Sequence, residues 1–248
     1  MEKIKKCFYN SAFYVLMVLL CAAFVVLMLN AVWHIHSCAA ENVKEEPICI
    51  LIDAGHGGED GGAVSDDGVV EKDINLAISQ CLRDYFELSG CNVIMTREDD
   101  AALGDITLPT VKERKRSDMK ERLEMYNNEE VDCVISIHQN KFTSSQYSGA
   151  QVFYSANNSG SEVLAEYLRK AVVSFIQPNN DRELKKADSN IYLLNNCVNP
   201  CVLVECGFLS NAEETARLVT EEYQKQVAFS IYCGTLEYLS DKGRVKTE

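Results

Sequence analysis

Residues 48–58 read Ile-Cys-Ile-Leu-Ile-Asp-Ala-Gly-His-Gly-Gly. The apolar, largely β-branched run 48–53 has the length and composition of a buried strand. It ends on Asp53 and passes into glycines that let the backbone bend sharply around His56. Comparable short runs recur at 91–96, 132–138, 150–154, 190–194 and 201–205. Between them lie segments of helical period, near 72–89, 112–128, 160–177 and 221–239. In the first, Ile74, Leu76, Ala77, Cys81, Leu82, Tyr85 and Leu88 mark one apolar stripe. This alternation predicts an α/β fold over 48–240: a single-domain sandwich with a largely parallel, twisted sheet flanked by helices. No repeat or low-complexity tract interrupts it.

Outward from this block, residues 34–47 form a polar, acidic linker and 241–248 a polar tail. Ahead of the linker, Ala12 to Leu29 is an unbroken apolar run preceded by Lys3, Lys5 and Lys6. Extended through Trp33, it is long enough to cross a bilayer as one transmembrane helix. Its basic flank orients the rest of the chain to the extracytoplasmic side. A cleaved signal peptide is the alternative; the length of the run and the lack of a small-x-small site directly after it favour an anchor over 1–33. His34 and His36 are taken as linker residues.

A net charge of -13 over 248 residues argues against nucleic acid as a partner, because phosphate binding needs clustered Lys and Arg. Eleven cysteines would suit a disulfide framework in an exported protein. Nine lie beyond the apolar run, an odd number, and Cys49, Cys133 and Cys201 sit inside apolar strands, where a thiol packs as a small hydrophobe. There is no CxxC pair. A Cys197–Cys201 pairing stays open.

In open α/β sheets, ligands bind beyond the carboxyl ends of the strands. Three expected strands end in capable residues: His56 after the first, His138 after 132–137, and Glu205 after 201–204. Glu71 opens the helix that follows the glycine-rich loop and can return to the same edge. The chain has four histidines, two of them in the linker. A catalytic zinc site takes three protein ligands and leaves a position for water. With His56 and His138 as ligands, the third must be a carboxylate or a thiolate, and Glu71 is the candidate. Taken singly, each residue has an ordinary explanation: a hydrogen-bonded structural histidine, a common turn sequence, a first-turn acid favoured by the helix dipole. Glu205 is open to a salt bridge with an Arg, or to a general base whose pKa burial would raise. Asp53 is expected to support the His56 loop or its imidazole, Asn140 to orient substrate or cap a turn, and Arg97 to be structural.

Taken together, 52–63, Glu71 to Leu76, Val93 to Arg97, Ser136 to Asn140 and Val204 to Asn211 resemble the zinc-dependent N-acetylmuramoyl-L-alanine amidase family with a His–Glu–His metal site. The resemblance covers nearly all of 48–240. It implies Zn2+ as cofactor, His56, Glu71 and His138 as its ligands, Glu205 as the catalytic acid/base, and peptidoglycan as substrate. Ala54 stands where the family usually has proline, Gln139 where it has a small residue, and Cys206 where many members differ; none of these removes a ligand. The long stretch from Asp99 to Asn127, with Arg114 to Asp118, Glu121 to Leu123, Ser148 to Gln151 and Ile191 to Leu194, resembles the spore-cortex, germination-specific members. These remove the stem peptide from muramic acid on the way to muramic-δ-lactam. A zinc carboxypeptidase or peptidoglycan peptidase of similar topology, and a catalytically silent wall-binding protein, are the alternatives. An activating protein partner is compatible with the sequence, which identifies none.

Overall fold

The structure, a computed structural model, describes residues 23–28, 30 and 47–244, and the chain divides into two compact units, 1–46 and 47–248. In the first unit, 23–28 and 30 are helical. The remainder of the expected anchor, His34, His36, residues 34–46 of the linker, and 245–248 of the tail lie outside the described residues. Among the described residues, no helix is long and apolar enough to cross a membrane.

The second unit is built on six strands: β1 (Cys49–Ala54), β2 (Asn92–Met95), β3 (Cys133–Asn140), β4 (Gln151–Tyr154), β5 (Lys185–Lys186) and β6 (Cys201–Phe208), in the order β2-β1-β3-β6-β4-β5. The helices are α1 (Glu71–Leu88), α2 (Val111–Tyr126), α3 (Ser159–Phe175), α4 (Tyr192–Asn196), α5 (Ala212–Leu218) and α6 (Glu221–Asp241). Alternation along the central strands sorts side chains between two layers. Ile50, Ile52, Cys133, Ile135, Ile137, Val202, Val204 and Cys206 enter the larger apolar cluster, which α1, α3 and α6 cover. Cys49, Leu51, Val134, Cys201 and Leu203 enter a smaller cluster with Tyr126, Leu193 and Leu194 from α2 and α4. Burial on both faces explains why these strands read as continuous apolar runs. Along the same alternation, Asp53, Ser136, His138 and Glu205 share the thinly covered face.

One expectation changes, the strand at 190–194, and two are refined. The sheet is mixed: β4 runs antiparallel to β6, while the other pairings are parallel. Only 141–150 separate β3 from β4, too few residues for the helical crossover that a parallel return requires. The run 190–194 is not a strand. Tyr192–Asn196 is a short helix that buries Leu193 and Leu194; four apolar residues in a row do not distinguish the two states. The pair Lys185–Lys186 supplies the edge strand instead. The eight described cysteines beyond the linker are free thiols. Cys197 hydrogen-bonds the Tyr126 and Asn199 carbonyl oxygens, so the open Cys197–Cys201 pairing is not formed.

Candidate metal centre

After Ala54 the chain turns away from the sheet, with the Gly55 amide still donating to the Ile137 carbonyl at 3.1 Å. His56 then adopts φ 64, in the left-handed region that a residue with a Cβ rarely occupies. Contacts from both sides hold it there. Arg97 donates to the carbonyls of Ala54 and Gly55 at 2.9 and 3.0 Å, and Arg122 donates to the His56 carbonyl at 2.7 Å. Reciprocal backbone bonds between Gly57 and Asp60 fold the loop back. The Asp60 carboxylate therefore meets His56 Nδ1 at 3.1 Å, and Nε2 turns toward Glu71 Oε1 at 3.2 Å. Gly55 and Gly62 are required locally: a Cβ on either would overlap the His138 ring or the Glu71 carboxylate.

Glu71 is the first residue of α1, a helix whose N-terminus has no side-chain cap. The residue is 3% exposed, and its side chain turns into the protein rather than along the dipole toward solvent. One oxygen accepts the Ala63 amide at 2.8 Å. The other accepts the Gln139 amide at 3.0 Å and lies 2.9 Å from His138 Nδ1. The imidazoles of His56 and His138 stand edge to face, centroids 4.9 Å apart. His56, Glu71 and His138 thus offer three ligand atoms within 4.8 Å of one another. Burial alone would raise the Glu71 pKa, but hydrogen bonds and charge from His138 and His56 carry it well below the carboxylate range. Burial likewise favours a neutral His56, yet Asp60 and Glu71 outweigh it and lift the imidazole to about 9. The cluster is an electrostatic well for positive charge. Two imidazoles and one carboxylate are a donor set that suits zinc, and Asp60 on the far nitrogen of His56 fixes its tautomer as carboxylates behind metal-ligating histidines do.

Glu205 stands opposite His138 in the β3–β6 register, within one strand spacing. Its Oε2 is buried with no hydrogen-bond partner, and among the described residues no Arg pairs with it. Burial pushes its pKa up to about 7, the His138 charge opposing and the Glu71 charge reinforcing the shift. A cleft of about 330 Å³, lined by His56, His138, Glu205 and Tyr192 among others, opens onto this group.

Of the two supports expected of Asp53, the structure shows the one for the His56 loop, through Arg122. Asp53 contacts neither imidazole directly. Its oxygens accept from Thr96, Tyr126, Ser136 and Arg122, and Arg122 in turn holds the His56 and Ala54 carbonyls. Arg97 is structural, as expected, and Asn140 lies at the end of β3 beside a separate cleft. Asp60, Arg122 and Asn75 were not singled out from sequence for these contacts. Asp60 lies four residues after His56, a spacing that a turn closes. Asn75 lies one helical turn after Glu71, where its amide reaches Glu71 Oε1 at 3.2 Å. Arg122 falls within the largely polar 112–128 and offers no such spacing signal.

The described fold has counterparts among known proteins. The family profile described as N-acetylmuramoyl-L-alanine amidase matches residues 50–236. The germination-specific N-acetylmuramoyl-L-alanine amidase of Bacillus subtilis is 40% identical over 194 residues, covering 78% of this chain and 81% of the relative. The CwlD amidase of Clostridioides difficile, solved in complex with the GerS lipoprotein, superposes with a TM-score of 0.75 at 42% identity, covering 78% of this chain and 99% of that one. The amidase AmiC2 of Nostoc punctiforme gives 0.65 at 29% identity, covering 78% and 97%.

Proposed function

The chain belongs to the N-acetylmuramoyl-L-alanine amidase family, and from that premise we propose that His56, Glu71 and His138 hold a zinc ion while Glu205 serves as the acid/base. The substrate is peptidoglycan, at the amide joining the lactyl group of N-acetylmuramic acid to L-alanine. Zinc, when bound, would polarise the amide carbonyl and lower the pKa of a water. Glu205 then takes the proton of the attacking water and delivers it to the alanine nitrogen as the amide breaks. A carboxyl poised near 7 can do both at neutral pH. Asp60 keeps His56 oriented, and the Arg97 and Arg122 bonds keep the strained loop in place.

The observation that supports this most is the bare, buried Glu205 oxygen beside a His–Glu–His cluster. Incubation of the protein with peptidoglycan, with and without chelator, tests it. Stem peptides with a free L-alanine amine should appear, and chelator should abolish them. A zinc peptidase would instead cut within the stem, which mass spectrometry of the muropeptides separates.

The likeness to a germination-specific relative supports a substrate in spore cortex, on the way to muramic-δ-lactam. The Clostridioides difficile amidase, solved with a lipoprotein, supports a protein partner, and the basic flank of the apolar run supports an extracytoplasmic catalytic domain. The division into an anchor at 1–33, a linker at 34–47, a catalytic domain at 48–240 and a tail at 241–248 completes the proposal; it rests on the apolar run Ala12 to Leu29 and its basic flank.

A further inference from the structure

Two clefts besides the one over Glu205 lie near the metal centre, and their charges differ. One, of about 630 Å³, shares His56 and Asp60 with the centre and is bounded by Ala101, Leu103 and the start of α2. Its cations are already neutralised: Arg114 pairs with Glu59 at 2.8 Å and Lys115 with Asp60 at 2.8 Å. The other, of about 260 Å³, is formed by Asn140, Phe142, Tyr147, Arg182, Lys185 and Phe208. There, neither Arg182 nor Lys185 is in a salt bridge among the described residues. Arg182 is held in place nonetheless. Its Nε donates to the Ser148 carbonyl at 2.8 Å and Nη1 to Gln151 at 3.2 Å, and its guanidinium lies 4.5 Å over the Phe208 ring. Phe142 and Tyr147, 53% and 39% exposed, meet edge to face beside it.

Asn140 lies two residues beyond His138 on β3, and Phe208 three beyond Glu205 on β6. At the rise of a strand, Asn140 sits roughly 7 Å along the backbone from His138, about two residues of an extended peptide.

We propose that this cleft binds the peptide half of the amidase substrate, with a peptide carboxylate on Arg182 and Lys185 and the aliphatic chain against Phe142 and Tyr147. The proposal rests on the amidase reading, since it assigns the leaving half of that substrate a direction: away from the paired charges near α2 and toward β5. A positioned guanidinium binds a carboxylate bidentately, and the aromatic faces bury alkyl segments.

The test is titration calorimetry on the full chain with L-alanyl-γ-D-glutamyl-L-lysine and with the same peptide amidated at both carboxylates. The acidic form should bind about tenfold tighter, the size of one well-placed charge-assisted contact. R182Q and K185Q should each remove most of that preference, and raised salt should weaken it. R182Q also releases the Ser148 carbonyl, so K185Q, on an exposed side chain, guards against a folding artefact. On muropeptides the same variants should raise KM and leave kcat within about twofold, as loss of uniform binding does. Equal affinity for the two peptide forms, or an undiminished preference in K185Q, would overturn the proposal. Because binding needs no turnover, a chain that discriminates the peptides yet cleaves nothing would contradict the amidase mechanism while sustaining this cleft.

Discussion

Two carboxylates on the thinly covered face of the sheet, the buried Asp53 on β1 and the partly buried Glu205 on β6, have opposite surroundings. Asp53 accepts hydrogen bonds from Thr96, Tyr126, Ser136 and Arg122. Burial would raise its pKa, but the Arg122 charge and these donors hold it well below the carboxylate range. Glu205 has an oxygen with no partner, and burial carries it up to about 7. One acid is fixed as an anion that ties the helix layer to the His56 loop. The other is left able to gain and lose a proton. The same side-chain chemistry is assigned to structure or to catalysis by the donors around it.

The largest expected effect breaks the member of the pair proposed as the acid/base. Glu205→Gln should lower turnover by about 10²–10⁴-fold while zinc content, read by atomic emission, stays near that of the parent. His138→Ala should instead lose the metal. Near-normal turnover in the first, or full zinc in the second, removes the assigned role. Next is the structural member: Arg122→Met leaves Asp53 as an uncompensated buried anion. Denaturant titration should show a loss of about 3–5 kcal/mol, and activity should fall with it as the His56 carbonyl is released.

The acid limb follows from Asp53. Its folded pKa is depressed, so its contribution is fully present above the ordinary value near 4 and disappears as pH falls toward the folded value. The stability of the parent should decline below about pH 4, and Asp53→Asn should flatten that limb from a lower baseline. Glu205 has the opposite sign. Its folded pKa is raised, so the folded state holds the extra proton and stability drops as pH rises from the ordinary carboxylate range to about 7. In chelator, Glu205→Gln should therefore raise Tm by about 2–6 °C at pH 8 and by less at pH 5; an equal shift at both would contradict the burial account. The smallest effect belongs to exposed pairs such as Lys225–Glu221 on α6. Lys225→Gln should leave Tm unchanged, because an exposed i,i+4 pair contributes little.

How much of this was legible in the sequence follows the same division. β1, β3 and β6 are continuous apolar runs because both faces are covered, and His56, His138 and Glu205 follow directly from where those runs stop. Glu71 was legible as the head of the next helix. The supports were less so. Arg122 is 2% exposed, yet it sits in a helix whose residues are mostly polar and charged, and its charge reads as that of a solvated side chain. Its burial is produced by Asp53, a partner 69 residues away, and long-range pairing leaves no local periodicity. Lys185–Lys186 is a strand only through its edge pairing with β4. The 212–218 helix was missed although Asn211 caps it through the Glu213 and Glu214 amides, a signal that an Asn before Ala-Glu-Glu could have given.

The most direct test is anomalous diffraction at the zinc edge from crystals grown with the metal. A single strong peak should lie about 2.0–2.2 Å from one nitrogen each of His56 and His138 and from a Glu71 oxygen, with a Glu205 oxygen facing it across the cleft. A fully active, zinc-loaded protein whose peak lies away from these three side chains would contradict the account.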